Sequence, residues 1–414
     1  MASLEQRGPR AACFGINVNV IWLAGIYLHI PFCRHACNYC NFHFSTSLRY
    51  KNELLGALLK ELELFKATPP APGIDASAGI ETIYIGGGTP SLLTVEEIGQ
   101  LLFKIRQEYR VTADAEITLE ANPDDITEEL LIGWKANGIT RLSIGVQSFF
   151  EEDLAWMNRA HNAVQAREAL MLALRYFPNI TMDLIYGTPG LTHDKWKSNV
   201  QQAVALGVPH LSCYALTVEP QTPLQKMISQ HKLEDVNPDM QSEQFMLLMD
   251  WMEKAGYQHY EISNYAKPGY RSRHNSAYWQ GKPYYGFGPS AHSFDGASRW
   301  WNIANNQVYI NSIGDGRIPF EREQLTPVQR FNEYVMIGLR TNEGLSLERL
   351  RANEFGLPDE LLKAALDEVL SKSKAYGILG NMNHDAARVW LTREGKLLAD
   401  GIAADLFLEE PLKK

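Results

Sequence analysis

The sequence predicts an α/β protein: a partial (β/α)6 barrel followed by a C-terminal α+β domain of winged-helix-like order. Six short apolar, β-branched runs alternate with longer stretches of helical period between residues 26 and 216. That is the pattern of parallel strands joined by crossover helices. Polar and glycine residues gather just past these runs, where parallel α/β sheets hold their ligands. Near residue 237 the alternation stops, which marks the change of architecture.

The expected strands are IYLHI (26–30), TIYIGG (82–87), EITLEA (116–121), RLSIGV (141–146), TMDLIYG (181–187) and LSCYAL (211–216). Helical period fills the gaps between them in RYKNELLGALLKELELF, TVEEIGQLLFKIRQEY, EEDLAWMNRA with AVQAREALMLALRYF, and KWKSNVQQAVAL. Six repeats fall short of the eight that close a barrel, so an open one is expected. From 326 onward the order is helix, short helix, helix, strand-turn-strand and final helix. The expected divisions are therefore a leader (1–25), the partial barrel (26–237), an aromatic, glycine-rich extension (238–325) and the C-terminal domain (326–414).

Composition excludes several functions. A net charge of -9 offers no electrostatic footprint for a nucleic-acid backbone. Winged-helix order ordinarily suggests DNA, yet the helix from Pro358 sets Asp359, Glu360, Asp367 and Glu368 against Lys363, Lys372 and Lys374, which is no basic recognition surface. No segment reaches the ~18 uninterrupted apolar residues of a membrane span, so no integral membrane protein is expected. The apolar N-terminal run after Arg7 and Arg10 imitates a signal peptide, but Asn17, Asn19 and His29 interrupt it and no small-residue cleavage site follows. Five cysteines in 414 residues are too few for a disulfide scaffold and fit the reducing cytoplasm.

Three of those cysteines, Cys33, Cys37 and Cys40, fall within eight positions in "PFCRHACNYCNF". Thiolates select zinc, copper or iron-sulfur clusters. Three in one loop can hold three corners of a cubane and leave one iron open, whereas a zinc knuckle would borrow His29, His35 or His43 as its fourth ligand. Cys13 and Cys213 stand apart and read as ordinary buried thiols.

Other residues bring their own chemistry. In "GGGTP", Gly86, Gly87, Gly88 and Thr89 follow a strand, where glycine lets backbone approach a ligand closely, a tight turn being the alternative. Glu120 leaves its strand where a carboxylate could accept hydrogen bonds from ribose hydroxyls or cap the helix near Thr127. Asp183 sits among apolar neighbours, where an acid without a partner is costly.

The spacing C-x3-C-x2-C within "YLHIPFCRHACNYCNF" resembles the radical SAM superfamily, and from residue 26 to the C-terminus the chain resembles the oxygen-independent coproporphyrinogen III oxidase family with its heme-chaperone branch. The resemblance implies a 4Fe-4S cluster on Cys33, Cys37 and Cys40 whose open iron chelates S-adenosylmethionine (SAM), and whose reduction can release a 5′-deoxyadenosyl radical. It also implies that Gly87, Gly88 and Thr89 contact the methionine end of SAM, that Tyr27 packs at the cluster, and that Glu120, Gln147 in "GVQSF", Arg159 in "NRAHN" and Asp183 line the SAM pocket. An arginine suits a SAM carboxylate well.

Three departures favour the chaperone branch over the decarboxylating oxidase. The position two past Cys40, a cysteine in the oxidase, is Phe42; only 32 residues precede Cys33; and "HNSAYW" resembles the H-N-x-x-Y-W motif of the chaperones. The resemblance then implies heme as cargo, with His274 as an axial ligand and Tyr278 and Trp279 against the porphyrin; the residues alone favour a hydrogen-bonded loop histidine and aromatics of the core. The implied partners are recipient hemoproteins, respiratory enzymes at the membrane among them. Oxidative decarboxylation of coproporphyrinogen III and a zinc-bound scaffold are the other two readings.

Overall fold

A computed structural model describes residues 24–67 and 79–410. Nearly all of the expected leader, and Cys13, lie outside them.

The six expected strands form in place: β1 (Ala24–Ile30), β2 (Ile80–Gly87), β3 (Val111–Ala121), β4 (Arg141–Gln147), β5 (Ile180–Tyr186) and β6 (His210–Ala215). All pair in parallel and in sequence order. Both faces of such a sheet are covered, which is why the strands are apolar almost throughout; Ile26, Leu28, Ile83, Ile85, Leu142 and Ile144 are fully buried. Four of the crossover helices begin on side-chain caps in the loops after the strands. Thr94 and Asn162 form reciprocal capping boxes with Glu97 and Gln165, satisfying amide donors that a helix start leaves free.

The sheet is larger than the six repeats suggest, because the 238–325 segment adds strands at both edges. On the β6 side lie β7 (Gln258–Glu261) and β8 (Asn264–Ala266); on the β1 side lie β9 (Tyr284–Phe287), β10 (His292–Phe294), β11 (Ser298–Asn302) and β12 (Phe320–Gln324). The result is twelve strands in the order β12-β11-β10-β9-β1-β2-β3-β4-β5-β6-β8-β7. β9 runs parallel to β1, which brings the aromatic segment alongside the strand that leads into the three cysteines.

The C-terminal region has its own buried core, including Val335, Leu339, Leu345, Val369 and Val389. Helices Pro327–Leu339 and Asp359–Ile378 pack with a three-stranded sheet, β13 (Leu345–Ser346), β14 (Met382–His384) and β15 (Arg388–Leu391), in the order β13-β15-β14. It is tied to the large sheet where Arg340 pairs with the fully buried Glu261 at 2.8 Å and the Ile262 amide donates to the Arg340 carbonyl.

One local difference from the expected helices bears on the site. The helix expected through Ala160 ends at Trp156. Asn158 then takes a left-handed φ of 57° and donates its side-chain amide to the Ala36 carbonyl at 2.8 Å. The chain therefore turns, and Arg159 enters the site instead of continuing a helix.

Candidate cluster and cofactor site

The cysteine loop leaves β1 and is fixed from two sides. On one, Cys33 N donates to the Ser45 carbonyl and Ser45 N to Pro31 O. On the other, the Asn38 side chain donates to Trp156 O at 2.7 Å, while its backbone bonds Met157 O and Leu224 N. The exposed Arg34 also pairs with the buried Asp125 at 2.9 Å. The thiols are half-buried and free of disulfides. Burial, with smaller effects from Cys40 and Cys37, pushes the Cys33 thiol up to about 11. Among the described residues no trio of His, Cys, Asp and Glu converges tightly enough to hold a single metal ion.

The glycine run forms a ledge against this loop. A Cβ on Gly88 would lie 2.6 Å from the Phe32 carbonyl oxygen and 2.9 Å from Cys33 Sγ. Gly87, at φ 115°, abuts the His29 ring, and a Cβ on Gly86 would meet Tyr84 and Glu120. These glycines are thus required by close approach as well as by a turn, and Thr89 beside them is buried.

Glu120 is a half-buried acceptor and not a surface cap: Tyr84 OH donates to it at 2.7 Å and Gly87 N at 3.0 Å. Burial pushes its carboxyl up to about 7. Asp183 is likewise pushed up to about 7 by burial, against the opposing pull of Arg141 and a Ser212 hydrogen bond. At the end of β4 the sheet register slips, and Gln147 takes a φ of 69°. Such backbone is uncommon outside glycine and concentrates at functional sites.

Arg159 draws these parts together. It donates to Cys37 Sγ at 3.3 Å, to Asn122 Oδ1 at 2.8 Å and to the Gly145 carbonyl at 2.7 Å, and Asn122 donates in turn to Thr89 Oγ1 at 3.3 Å. The same guanidinium and the Gln147 amide are what a Cβ on Gly145 would meet. Cys37, Arg159, Asn122, Thr89 and Gln147 therefore share one polar wall, with Glu120 and the glycine ledge beside it. Sequence reasoning missed Asn122, Asn38 and Tyr84. The "NPDD" turn after a strand could have flagged Asn122; nothing local flags the other two.

The donor set and the ledge suit a cluster: three thiols in one loop, a cationic donor on one sulfur, and backbone free of Cβ atoms against another. Two of the three histidines considered for a zinc knuckle are engaged elsewhere, and the third, His35, is exposed. His29 is held by Tyr27 OH and His43 O, and His43 Nε2 by Asn306.

Tyr27 lines a different space, its ring stacked on Tyr84. Beside the cysteine loop opens a cavity of about 960 Å³, walled by Tyr27, Phe42, Tyr278, Trp279, Tyr284 and Phe294 on one side and by the C-terminal region on the other. Phe42 stands at its edge, 67% exposed.

His274 corrects an expectation. Its ring is 2% exposed, Nδ1 lies 2.8 Å from Thr82 Oγ1, Nε2 lies 2.8 Å from Tyr278 OH, and the ring stacks on Tyr84. With both nitrogens engaged inside the sheet packing, His274 holds its helix to β2 and offers no nitrogen to an iron. Tyr278 lies one helical turn further on, the i,i+4 spacing at which such a pair meets.

An open sheet of parallel β/α repeats with three thiols at the carboxyl end of its first strand defines a radical SAM protein, and residues 27–203 match the Radical SAM superfamily. Residues 325–398 match the HemN C-terminal domain. The chain is 36% identical over 390 residues to the heme chaperone HemW of Mycobacterium tuberculosis, covering 92% of this chain and 94% of that one. It is 33% identical to HemW of Bacillus subtilis over 91% and 97%, and 34% identical to HemW of Escherichia coli over 93% and 98%. The chain belongs to the HemW family. The solved coproporphyrinogen III oxidase HemN of Escherichia coli shares its fold, with a TM-score of 0.79 over 93% of this chain and 90% of that one at 23% identity. No helix among the described residues is long and apolar enough to cross a membrane.

Proposed function

We propose that this protein is a cytoplasmic heme carrier that holds a 4Fe-4S cluster and SAM, and delivers heme to hemoproteins, respiratory enzymes among them. The observation that carries the reading is the wide aromatic cavity opening beside the cysteine loop, since a planar macrocycle needs such walls. Phe42 at its edge, where the related oxidase carries a further cysteine, and the names of the relatives support carriage over decarboxylation.

Cys33, Cys37 and Cys40 hold the cluster, which when bound supplies redox chemistry that SAM can share. The ledge Gly86–Thr89 leaves room for the methionine end, and Arg159 is placed to meet a carboxylate. Glu120 accepts ribose hydroxyls and Asp183 lines the same pocket; Gln147 closes it with its amide. The polar wall orients the cofactor, and the buried surroundings keep water from it.

The test is anaerobic incubation of the cluster-loaded protein with SAM, reductant and either heme or coproporphyrinogen III, following porphyrin products and 5′-deoxyadenosine together. Heme bound and coproporphyrinogen III unconverted is the expected outcome. Vinyl-bearing product would overturn the carrier reading in favour of the oxidase.

A further inference from the structure

The sequence motif points to His274 as the iron ligand, and the structure removes it. Three other histidines line the 960 Å³ cavity: His29, His43 and His292. His29 has both ring nitrogens engaged and His43 has Nε2 on Asn306. His292, on β10, has no hydrogen-bond partner among the described residues; its ring is held by stacking on Trp301, with centroids 5.9 Å apart, and it is exposed to the cavity. It is the one lining imidazole with both nitrogens uncommitted.

Charge in the cavity is similarly uneven. Two of its arginines are spent on its acids: Arg299 pairs with Glu333 and Arg349 with Glu354. The remaining lining acid, Asp295, accepts backbone amides of Ala297 and Ser298. Arg330 has no ion-pair partner among the described residues, and its Nε is buried without a hydrogen bond. Buried donors are rarely left unpaired, and a guanidinium fork matches a carboxylate.

We propose that the cavity binds heme with His292 as an iron ligand and Arg330 as the partner of a propionate carboxylate, the ring lying against the aromatic wall that includes Tyr278 and Trp279. This rests on the carrier reading and refines it. An exposed ligand on a short strand, unlike a buried one, can release its iron without opening the core, which suits a cargo that must leave.

The test is titration of the full-length, cluster-loaded protein with ferric heme and with metal-free protoporphyrin IX, read by difference absorption and by electron paramagnetic resonance of the ferric iron. His292→Ala is expected to change the iron's ligand signature and weaken heme binding about tenfold or more while leaving protoporphyrin IX affinity unchanged, and His292→Met to restore ligation with an altered Soret band. Arg330→Gln is expected to weaken both porphyrins by about tenfold, the loss of a hydrogen bond to a charged group. An unchanged iron signature in His292→Ala, or its loss in His43→Ala, overturns the ligand assignment; equal affinity for protoporphyrin IX in Arg330→Gln overturns the propionate partner. A wild-type protein that binds neither porphyrin removes the carrier reading itself.

Discussion

The two sides of the cysteine loop are built on opposite principles. On the β2–β4 side the polar groups are tied closely to one another: Arg159 makes three hydrogen bonds, Glu120 accepts two, and Gly88 has no space for even a methyl group. On the β9–β10 side the walls are broad, aromatic and half open, and two of the groups best suited to a metalloporphyrin, His292 and Arg330, are uncommitted. A small ligand whose position must be fixed needs the first kind of site. A large cargo that arrives and departs needs the second, because binding held in many committed contacts would also hold it against transfer.

The contrast is most sharply broken at the thiols. Replacing any one of Cys33, Cys37 or Cys40 by serine is expected to abolish the cluster's visible absorption and bound iron after anaerobic reconstitution. Porphyrin affinity should change far less, because the cavity walls do not include the cysteines. Loss of both together would mean that the two sides are one site.

Next in size is Gly88→Ala. The new methyl meets Cys33 Sγ and the Phe32 backbone carbonyl, and the carbonyl cannot swing aside, so the ledge or the loop must shift at a cost of about 1–3 kcal/mol. Cluster occupancy should fall with it. Gly56→Ala is the control: it lies exposed in helix Lys51–Ala67 with nothing within 4 Å of its Cβ, and should raise stability by about 0.5–1 kcal/mol. Chemical denaturation with iron analysis reads both.

The carboxyls of the committed side predict a pH signature. Glu120 and Asp183 are raised to about 7 in the fold but ionise near 4 in an unfolded chain. The stability they contribute is therefore complete below about 4 and is lost as pH rises through about 7. Asp183→Asn cannot lose its share. In the cofactor-free protein, melting measured from about pH 5 to about pH 8 should move progressively in favour of Asp183→Asn relative to wild type; a constant gap would show that Asp183 is not held protonated. Glu61, raised in the same way far from this site, is common to both proteins and cancels in the difference. The smallest effect belongs to Phe42→Ala, which removes an exposed ring and should alter stability by no more than about 0.5 kcal/mol.

How much of this could be read in advance follows the same division. β1 to β6 were legible because a doubly covered parallel strand is apolar throughout, and the thiol trio because its spacing is local. The two-edged, twelve-stranded sheet was not: β7 to β12 run three to five residues each, too short for a period, and the two that join them to the six repeats, β8 on β6 and β9 on β1, pair with strands far away in sequence. Arg159 was named, but its route into the site depends on Asn158 breaking a helix that the sequence continues. His274 was misassigned because a motif reports which residues occur and not whether a nitrogen is spent; its pairing with Tyr278 at i,i+4 was the available clue. Nothing local marks His292 as a ligand, and only the cavity singles it out.

As a carrier, the protein moves heme and does not remake its precursor. The most direct measurement is transfer: load the anaerobic, cluster-bound protein with heme, add SAM and a heme-free acceptor cytochrome, separate the two proteins, and determine by mass which tetrapyrrole each holds. Intact heme moving to the acceptor is the expected result. Heme that stays on the loaded protein whatever the acceptor, or a tetrapyrrole recovered with altered side chains, would contradict it.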